Sequence, residues 1–312
     1  MIPIAALWVA LAIDRWFGEP PSSGHPVVWM GRYLDWMGGR IAPRAGEGSV
    51  RDLFRFFAGA FAWCAGALLV LAFACGAMWI AGQLPAWASA LVLGFALKPL
   101  LAWRMLRDEV LGVEAALGRS LDEGRGRLAR LVSRDVSALS AVEVRESAIE
   151  SLAENLNDSW VAPLFWFALL GLPGAAVYRF ANTADAMWGY RGVRSGRDWE
   201  WAGKWAARAD DVLSWIPARI TAALLAAGSS LRFASCRREA ARTPSPNGGW
   251  PMGTMALRLG VRLAKPGVYV LNAQGREVTA ADMARAVSLA ARTVAWSAVA
   301  ATTVIAARAG WA

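Results

Sequence analysis

Apolar residues in this chain fall in long blocks rather than at regular spacings. The block 56–80 carries no charge and is long enough to cross a hydrocarbon layer of about 30 Å at about 1.5 Å per residue. Block 84–101 follows after the uncharged turn Ala81, Gly82, Gln83, interrupted only by Lys98. Further blocks cover 160–181, 212–231 and 286–307. The first block, 2–13, is short for a span. It lacks the basic start and small-residue cleavage site of a signal peptide, so it reads as a retained, half-inserted helix. Block 160–181 is interrupted by Gly171, Leu172, Pro173 and Gly174. That reads as two half-helices, a break tolerated at depth only where protein or a wet cavity satisfies the backbone. About four to six crossings follow.

Between the blocks the pattern turns amphipathic. Residues 102–159 predict cytoplasmic helices, broken near Gly124 and Gly126 and again over 133–140. The last of them is the most informative. At 100° per residue, 140–158 places Glu143, Glu146, Glu150, Glu154, Asn157 and Asp158 within one arc of roughly 120°. Ile149, Leu152 and Leu156 lie opposite. Ser140 followed by Glu143 is a capping-box start. No Lys or Arg lies in that arc, and like charges one turn apart repel by about 0.2–0.5 kcal/mol. Such a stripe is either a solvated face or a cation or Mg-phosphate site; because it leads unrelieved into an apolar block at Trp160, the second reading is favoured. Residues 14–55 predict a Gly/Pro-rich loop and 240–285 mostly loop, with a short strand at 268–271. The fold class is all-α: a polytopic integral membrane helical bundle, one domain over 1–312, with a polar cytoplasmic face.

Charge sets the topology. Of 312 residues 56% are hydrophobic, 18 are Trp, and the net charge is +9. Arg-rich segments 14–55 and 104–159 flank the hairpin of the second and third blocks, so both face the cytoplasm and the hairpin tip faces outward. Nucleic acid is disfavoured as a partner, because the Arg residues are spread along juxtamembrane segments and no binding module is recognisable. Cys64, Cys75 and Cys236 form no disulfide or zinc pattern. His25, the sole histidine, sits between Gly24 and Pro26 and reads as a turn residue.

Four polar clusters accompany the acidic helix: Arg134-Asp135; Asn182 with Asp185; Asp210-Asp211 with Arg219; and Pro244 to Trp250 around Asn247. Each lies in or beside an apolar block or the acidic helix. Near a bilayer, charge is expensive unless it pairs or lines a wet cavity. Asp210 and Asp211 have Arg208 and Arg219 as neighbours for pairing. Asn182 and Asp185 either share a helix face for one ion or cap the preceding helix. Arg forks grip phosphate and carboxylate bidentately. Carboxylates and Asn suit Mg²⁺, which keeps waters and binds through one or two carboxylates plus substrate phosphates. No P-loop is present. The residues alone thus give a membrane protein with an acidic, Mg²⁺-dependent, cytoplasm-facing site for an anionic substrate. They do not give the reaction.

The same clusters, in this order, resemble the CobD/CbiB family of cobalamin biosynthesis over nearly the whole chain. The residues that carry it are Glu19-Pro20-Pro21, His25-Pro26-Val27 and Met30-Gly31; Arg134-Asp135; Glu150; Glu154-Asn155 with Asp158; Asn182-Thr183, Asp185, Met187 and Gly189-Tyr190; Asp210-Asp211 with Trp215 and Arg219; and Pro244 to Asn247 with Gly249-Trp250. Glu19 stands where the family usually has Asp, and Thr243 where a His often precedes Pro-Ser-Pro. The resemblance implies an inner-membrane, multi-pass ligase with a cytoplasmic active face. It would join (R)-1-amino-2-propanol, or its O-phosphate, to a propionate carboxylate of adenosylcobyric acid, consuming ATP with Mg²⁺. Glu150, Glu154, Asp158 and Asp185 are then the expected catalytic residues. Arg134, Asp135, Asn155, Asn182, Arg219, Asn247 and His25 would bind substrate. Glu154, Asp158, Asp185, Asp210 and Asp211 would hold the metal. The lipid bilayer and other corrinoid-pathway enzymes are the implied partners. The competing readings are a polytopic transporter for a cation or corrinoid, with its site at the 171–174 break, and a non-catalytic scaffold.

Overall fold

A computed structural model describes residues 1–47 and 51–310 of the chain. Four helical stretches are long and apolar enough to cross a membrane: Leu53–Gly82, Ala86–Leu117 (interrupted by a 3₁₀ turn at Lys98–Leu100), Ala141–Trp188 (interrupted by a π-turn at Asn157–Val161) and Ala280–Gly310. The protein is thus a helical membrane protein, with only short strands among the described residues. In chain order the helices are α1 (Ile2–Trp16), α2 (Pro26–Ile41), α3 (Leu53–Gly82), α4 (Ala86–Leu97), α5 (Trp103–Leu117), α6 (Leu121–Leu128) and α7 (Ala141–Leu156). Then come α8 (Ala162–Trp188), α9 (Lys204–Leu213), α10 (Trp215–Ala226), α11 (Phe233–Ala240), α12 (Gly249–Leu259) and α13 (Ala280–Gly310). Two antiparallel hairpins pair β1 (Val193–Arg194) with β2 (Arg197–Asp198), and β3 (Leu263–Lys265) with β4 (Tyr269–Leu271). The chain divides into two compact units, neither continuous in sequence. One comprises Met1–Leu101, Ala162–Leu213 and Ala301–Ala312; the other comprises Ala102–Val161 and Ser214–Ala300.

In the first unit α1 packs along α4, and α3 packs on α8. Asp52 caps α3 by accepting from the Arg55 amide at 2.9 Å. The break expected in the 160–181 block is present: Gly171 has φ 68° and ψ −159°, a backbone open to glycine at no steric cost. Two residues on, Pro173 has no N–H to offer the carbonyl of Leu169. The Arg308 guanidinium supplies the missing donor, through Nη1 to the carbonyls of Ala168 and Leu169. A charge near the end of a spanning helix is thereby spent on the backbone that the break exposes.

In the second unit α7 is the central element. The capping box forms, with the Ser140 N–H donating to Glu143 Oε2 at 2.7 Å and the Glu143 N–H donating to Ser140 Oγ at 3.3 Å. Ile149, Leu152 and Leu156 are fully buried, but Glu146, Glu150 and Asn157 of the acidic arc are buried too, whereas Glu154 is exposed and Glu143 and Asp158 are partly so; the arc is a solvated face only in part. α7 ends in a π-turn, Asn157–Val161, tied by the Trp160 indole donating to Ser297 Oγ at 3.0 Å.

Several expectations are corrected. The region 14–55, read as loop, contains α2, because Pro26 is tolerated in a first turn and the His25 side chain caps it; residues 48–50 of that reading lie outside the described residues. Gly124 and Gly126 do not break a helix: both lie inside α6, where a side chain on Gly124 would collide with Leu117. Within 240–285, α12 forms with Pro251 in its first turn. Beyond the last two residues of α9, the block 212–231 supplies only α10, which ends at Ala226 ahead of the left-handed Gly228; that is well short of the roughly 20 residues a crossing needs. The strand at 268–271 is β4.

Candidate functional site

The second unit contains a polar cavity of about 160 Å³. Three segments build it. α7 presents Ser147, Glu150, Ser151, Glu154 and Asn155, the i, i+3, i+4, i+7 and i+8 positions of one face. The loop before α7 contributes Arg134, and the β3–β4 hairpin contributes Lys265 and Tyr269, which are register partners across the hairpin. Glu146 fastens that hairpin to α7: its Oε2 accepts from the Ala264 N–H at 3.1 Å, and its Oε1 from Arg262 Nη2 at 3.4 Å.

The electrostatics are mixed in sign and incompletely satisfied. Arg134 Nη2 lies 3.6 Å from Glu150 Oε2, an ion pair too long to be a good hydrogen bond. The same Nη2 contacts Ser147 Oγ. Glu150 is 5% exposed, yet its Oε1 has no hydrogen-bond partner in the protein, and neither have Arg134 Nε and Nη1. Buried groups of this kind cost about 1–3 kcal/mol each when unmet. Burial, the charges of Glu150 and Glu154 and a hydrogen-bonding contact with the Glu150 carboxyl push the Tyr269 phenol above its ordinary range, with Arg134 opposing. Its hydroxyl donates to Met252 Sδ at 3.7 Å. Asn155 Nδ2 is held by the Ser151 carbonyl at 2.9 Å and Ser151 Oγ at 3.2 Å.

Other residues singled out from the sequence lie outside this cavity but in the same unit. Asp135 accepts from the Ser137 N–H at 2.9 Å; that amide and the Ser137 hydroxyl hold its carboxyl below the ordinary range. Asp158 accepts from Asn157 Nδ2 at 2.8 Å. It falls within the π-turn, whose extra residue per turn shifts it off the α7 face. Arg219 is committed to protein acceptors: Nη1 to Asn247 Oδ1 at 2.9 Å and to the Trp215 carbonyl at 2.7 Å, and Nη2 to the Pro246 carbonyl at 3.1 Å. The rings of Trp215 and Trp250 stack against it. It thus fixes the turn from Pro244 to Trp250. Gly248 in that turn approaches Glu154, and a Cβ there would come within 3.1 Å of Oε1.

The remainder lie in the first unit. Asn182 Oδ1 accepts from Arg179 Nη1 at 3.3 Å. Asp185 faces Gly189, where any Cβ would fall 1.9 Å from Asp185 Oδ1, so glycine is sterically required there. Asp210 and Asp211 are half-buried at the end of α9, and burial raises the Asp211 carboxyl against the opposing charge of Arg191. Both ring nitrogens of His25 are engaged: Nδ1 accepts from the Val27 N–H at 3.2 Å, so Nε2 carries the proton and donates to Glu19 Oε2 at 3.0 Å. Among the described residues no three His, Cys, Asp or Glu side chains group to hold a metal ion.

Sequence reasoning missed Lys265, Tyr269, Ser147 and Ser151 as site residues. The 268–271 strand was legible, but a three-residue strand carries no sign of what it faces. The serines sit on the face already marked by Glu150 and Glu154, one turn apart, and could have been read from that spacing.

A sequence model of one protein family, described as "CobD/Cbib protein", matches residues 7–290. The chain is 39% identical over 291 residues to a Pyrococcus abyssi protein named "Probable cobalamin biosynthesis protein CobD", covering 93% of this chain and 92% of that one. It is 37% identical over 281 residues to a protein of the same name from Methanothermobacter thermautotrophicus, covering 87% of each. It is 36% identical over 311 residues to the Rhodobacter capsulatus "Cobalamin biosynthesis protein CobD", covering 93% and 94%. No solved structure matches the chain.

Proposed function

The chain belongs to the CobD/CbiB family of cobalamin biosynthesis, and from that premise we propose that it is an ATP-dependent amide ligase. It joins (R)-1-amino-2-propanol, or its O-phosphate, to a propionate carboxylate of adenosylcobyric acid, at the cytoplasmic face of the inner membrane. The observation that carries this reading is the cavity around Arg134 and Glu150. Its volume of about 160 Å³ suits a small amine and excludes a corrinoid or a nucleotide. It offers both signs of charge, with Arg134 Nε and Nη1 and Glu150 Oε1 lacking protein partners.

A carboxylate is a poor electrophile, so the reaction begins with transfer of the ATP γ-phosphoryl group to the corrinoid propionate. The amine then attacks the acyl phosphate; amide, ADP and inorganic phosphate leave. Glu150 and Glu154 bind the substrate ammonium, and Glu150 takes the proton that must leave before nitrogen can attack. Arg134, with Lys265 across the cavity, holds a phosphate or the substrate hydroxyl. Asn155 orients polar substrate groups.

The donor set fits Mg²⁺ as a partner of ATP phosphates rather than as a caged ion, because the available carboxylates occur singly or in pairs. One or two of Glu154, Asp158, Asp185, Asp210 and Asp211 would hold it. Bound there, Mg²⁺ supplies charge neutralisation on the transferred phosphoryl group. The transporter reading loses its site at the 171–174 break, since Arg308 occupies the carbonyls of Ala168 and Leu169 that a cation would use.

The test is direct. Detergent-purified protein is incubated with adenosylcobyric acid, Mg-ATP and each amine separately, and the amide is sought by mass spectrometry. Product with one amine supports the ligase and identifies the acceptor. No product from folded protein, with or without added cell extract, overturns it.

A further inference from the structure

The first unit contains a second cavity of opposite character, about 310 Å³ in volume. α2, α3, α4 and α8 wall it, and Leu69, Phe73, Ala77, Ala96, Leu172 and Ala176 give its lining character. Two helix interruptions border it. α8 breaks at Gly171, directly before Leu172. α4 passes into the 3₁₀ turn Lys98–Leu100, whose last residue lines the wall. Straight helices would close against each other here; the two interruptions leave a gap. Phe180, in tilted contact with Tyr33 and Trp63, forms one side of it.

Nothing in the wall recruits water. Its two side chains with polar atoms, Trp29 and Tyr33, already donate to the carbonyls of Ser23 at 2.9 Å and Ala62 at 2.7 Å. A buried water needs two to four polar partners. The volume is roughly twice that of an apolar cavity of about 150 Å³ that stays dry and binds benzene in a soluble protein. An unfilled gap of this size forfeits dispersion contacts along its whole lining. The cavity is continuous with the outer surface of α3, the most apolar and least covered of the spanning helices: Leu69 is 52% exposed and Phe73 80%. The medium at that surface is lipid hydrocarbon.

We propose that this cavity is a binding site for one acyl chain of a bilayer phospholipid, held by its tail with no headgroup contact. The site is independent of the ligase reading and of the polar cavity.

The experiment uses the full chain in nanodiscs of phosphatidylglycerol with a diazirine in one acyl chain. After irradiation, adducts are mapped by peptide mass spectrometry. Adducts at Leu69, Phe73 and Ala77 should exceed those at Phe61, which is 74% exposed on the same helix and outside the cavity. Ala77→Phe fills the cavity and should cut labelling at Leu69 several-fold while leaving Phe61 unchanged. Val70→Phe makes the same test if Ala77→Phe does not fold, and if neither folds the wild-type ratio decides. Equal labelling at Phe61 and Leu69, or labelling unaffected by a filled cavity, overturns the proposal. So does loss of the Leu69 label on adding adenosylcobyric acid, which would assign the cavity to the corrinoid.

Discussion

Two buried ion clusters in this protein solve the same problem in opposite ways. In the first unit Lys98, 2% exposed, sends its ammonium to Asp14 Oδ1 at 3.1 Å, Glu19 Oε1 at 2.7 Å and the Leu101 carbonyl at 3.1 Å. Glu19 uses its other oxygen to accept from His25, whose remaining nitrogen caps α2. The ammonium is enclosed by three oxygens, two through hydrogen bonds and Asp14 Oδ1 through an ion pair, and the network ties α1, the loop after it, α2 and the end of α4 together. In the second unit Arg134 and Glu150 stand 3.6 Å apart, with guanidinium and carboxylate atoms left over. A closed network is a strut, because a ligand would have to break bonds to enter it. An open one lowers its energy by taking a ligand. The lesson is that burial of charge alone does not mark a site; a cation left with unmet donors does, as Arg134 is and Lys98 is not.

Glu150→Gln gives the largest effect expected from this contrast. Turnover in the amide assay should fall about 10²–10⁴-fold, the usual worth of a positioned acid–base group, while the melting temperature holds or rises. Wild-type turnover would remove Glu150 from the chemistry. Lys98→Met should do the reverse. It leaves the buried Asp14 and the partly buried Glu19 without their cation, a loss of about 3–5 kcal/mol, read as a lower melting temperature with unchanged turnover per folded molecule. A variant that melts like wild type would show that the closed cluster is not a strut.

Acid sharpens the comparison further. Burial pushes the Glu19 carboxyl up, but hydrogen bonds from His25 and Lys98 and the Lys98 charge outweigh it, so its pKa lies below the ordinary value. A depressed carboxylate contributes stability above its unfolded pKa and loses it as pH falls through the folded one. In Lys98→Met the Glu19 carboxyl keeps its burial but loses the cation that lowered it, so the variant regains stability on protonation, and the melting gap should narrow as pH falls, beginning above the ordinary carboxylate value of about 4.3. A gap that widens as pH falls would contradict the assignment. The smallest effect is Ser140→Ala, which removes half of the capping box at the start of the helix carrying the site. About 1 kcal/mol of stability should be lost, visible in thermal unfolding, with turnover of the folded fraction unchanged.

Much of the site was legible along α7. The capping box fixed its start, and helical spacing put Glu150 and Glu154 on one face, while Asn155 came from the family resemblance alone. The same spacing misplaced Asp158, because a π-turn alters the register and leaves no mark in residue order. The acidic arc looked unrelieved because its cations are distant in sequence: Arg262 meets Glu146 and Arg134 meets Glu150. Lys98 was visible as a charge in an apolar block, but its acceptors Asp14 and Glu19 lie on another helix and a loop. The loop readings at 14–55 and 240–285 failed for one reason. Pro and Gly in a first helical turn look like turn signals until packing shows the apolar face that follows them.

By itself the sequence determined the class of molecule: apolar blocks of bilayer length, Arg-rich segments around them, an acidic helix with a defined start, and the motifs of a cobalamin-biosynthesis family. Those properties are local, set by residue type and spacing within a turn or two of helix. Tertiary structure alone decided which charges are closed and which are open. It also decided that Arg308 covers the break at Gly171, that a short hairpin brings Lys265 and Tyr269 to Glu150, and that two helix interruptions leave an apolar gap. Each of these joins residues distant in the chain, and pairing at that range depends on how helices pack, which no single stretch of sequence encodes.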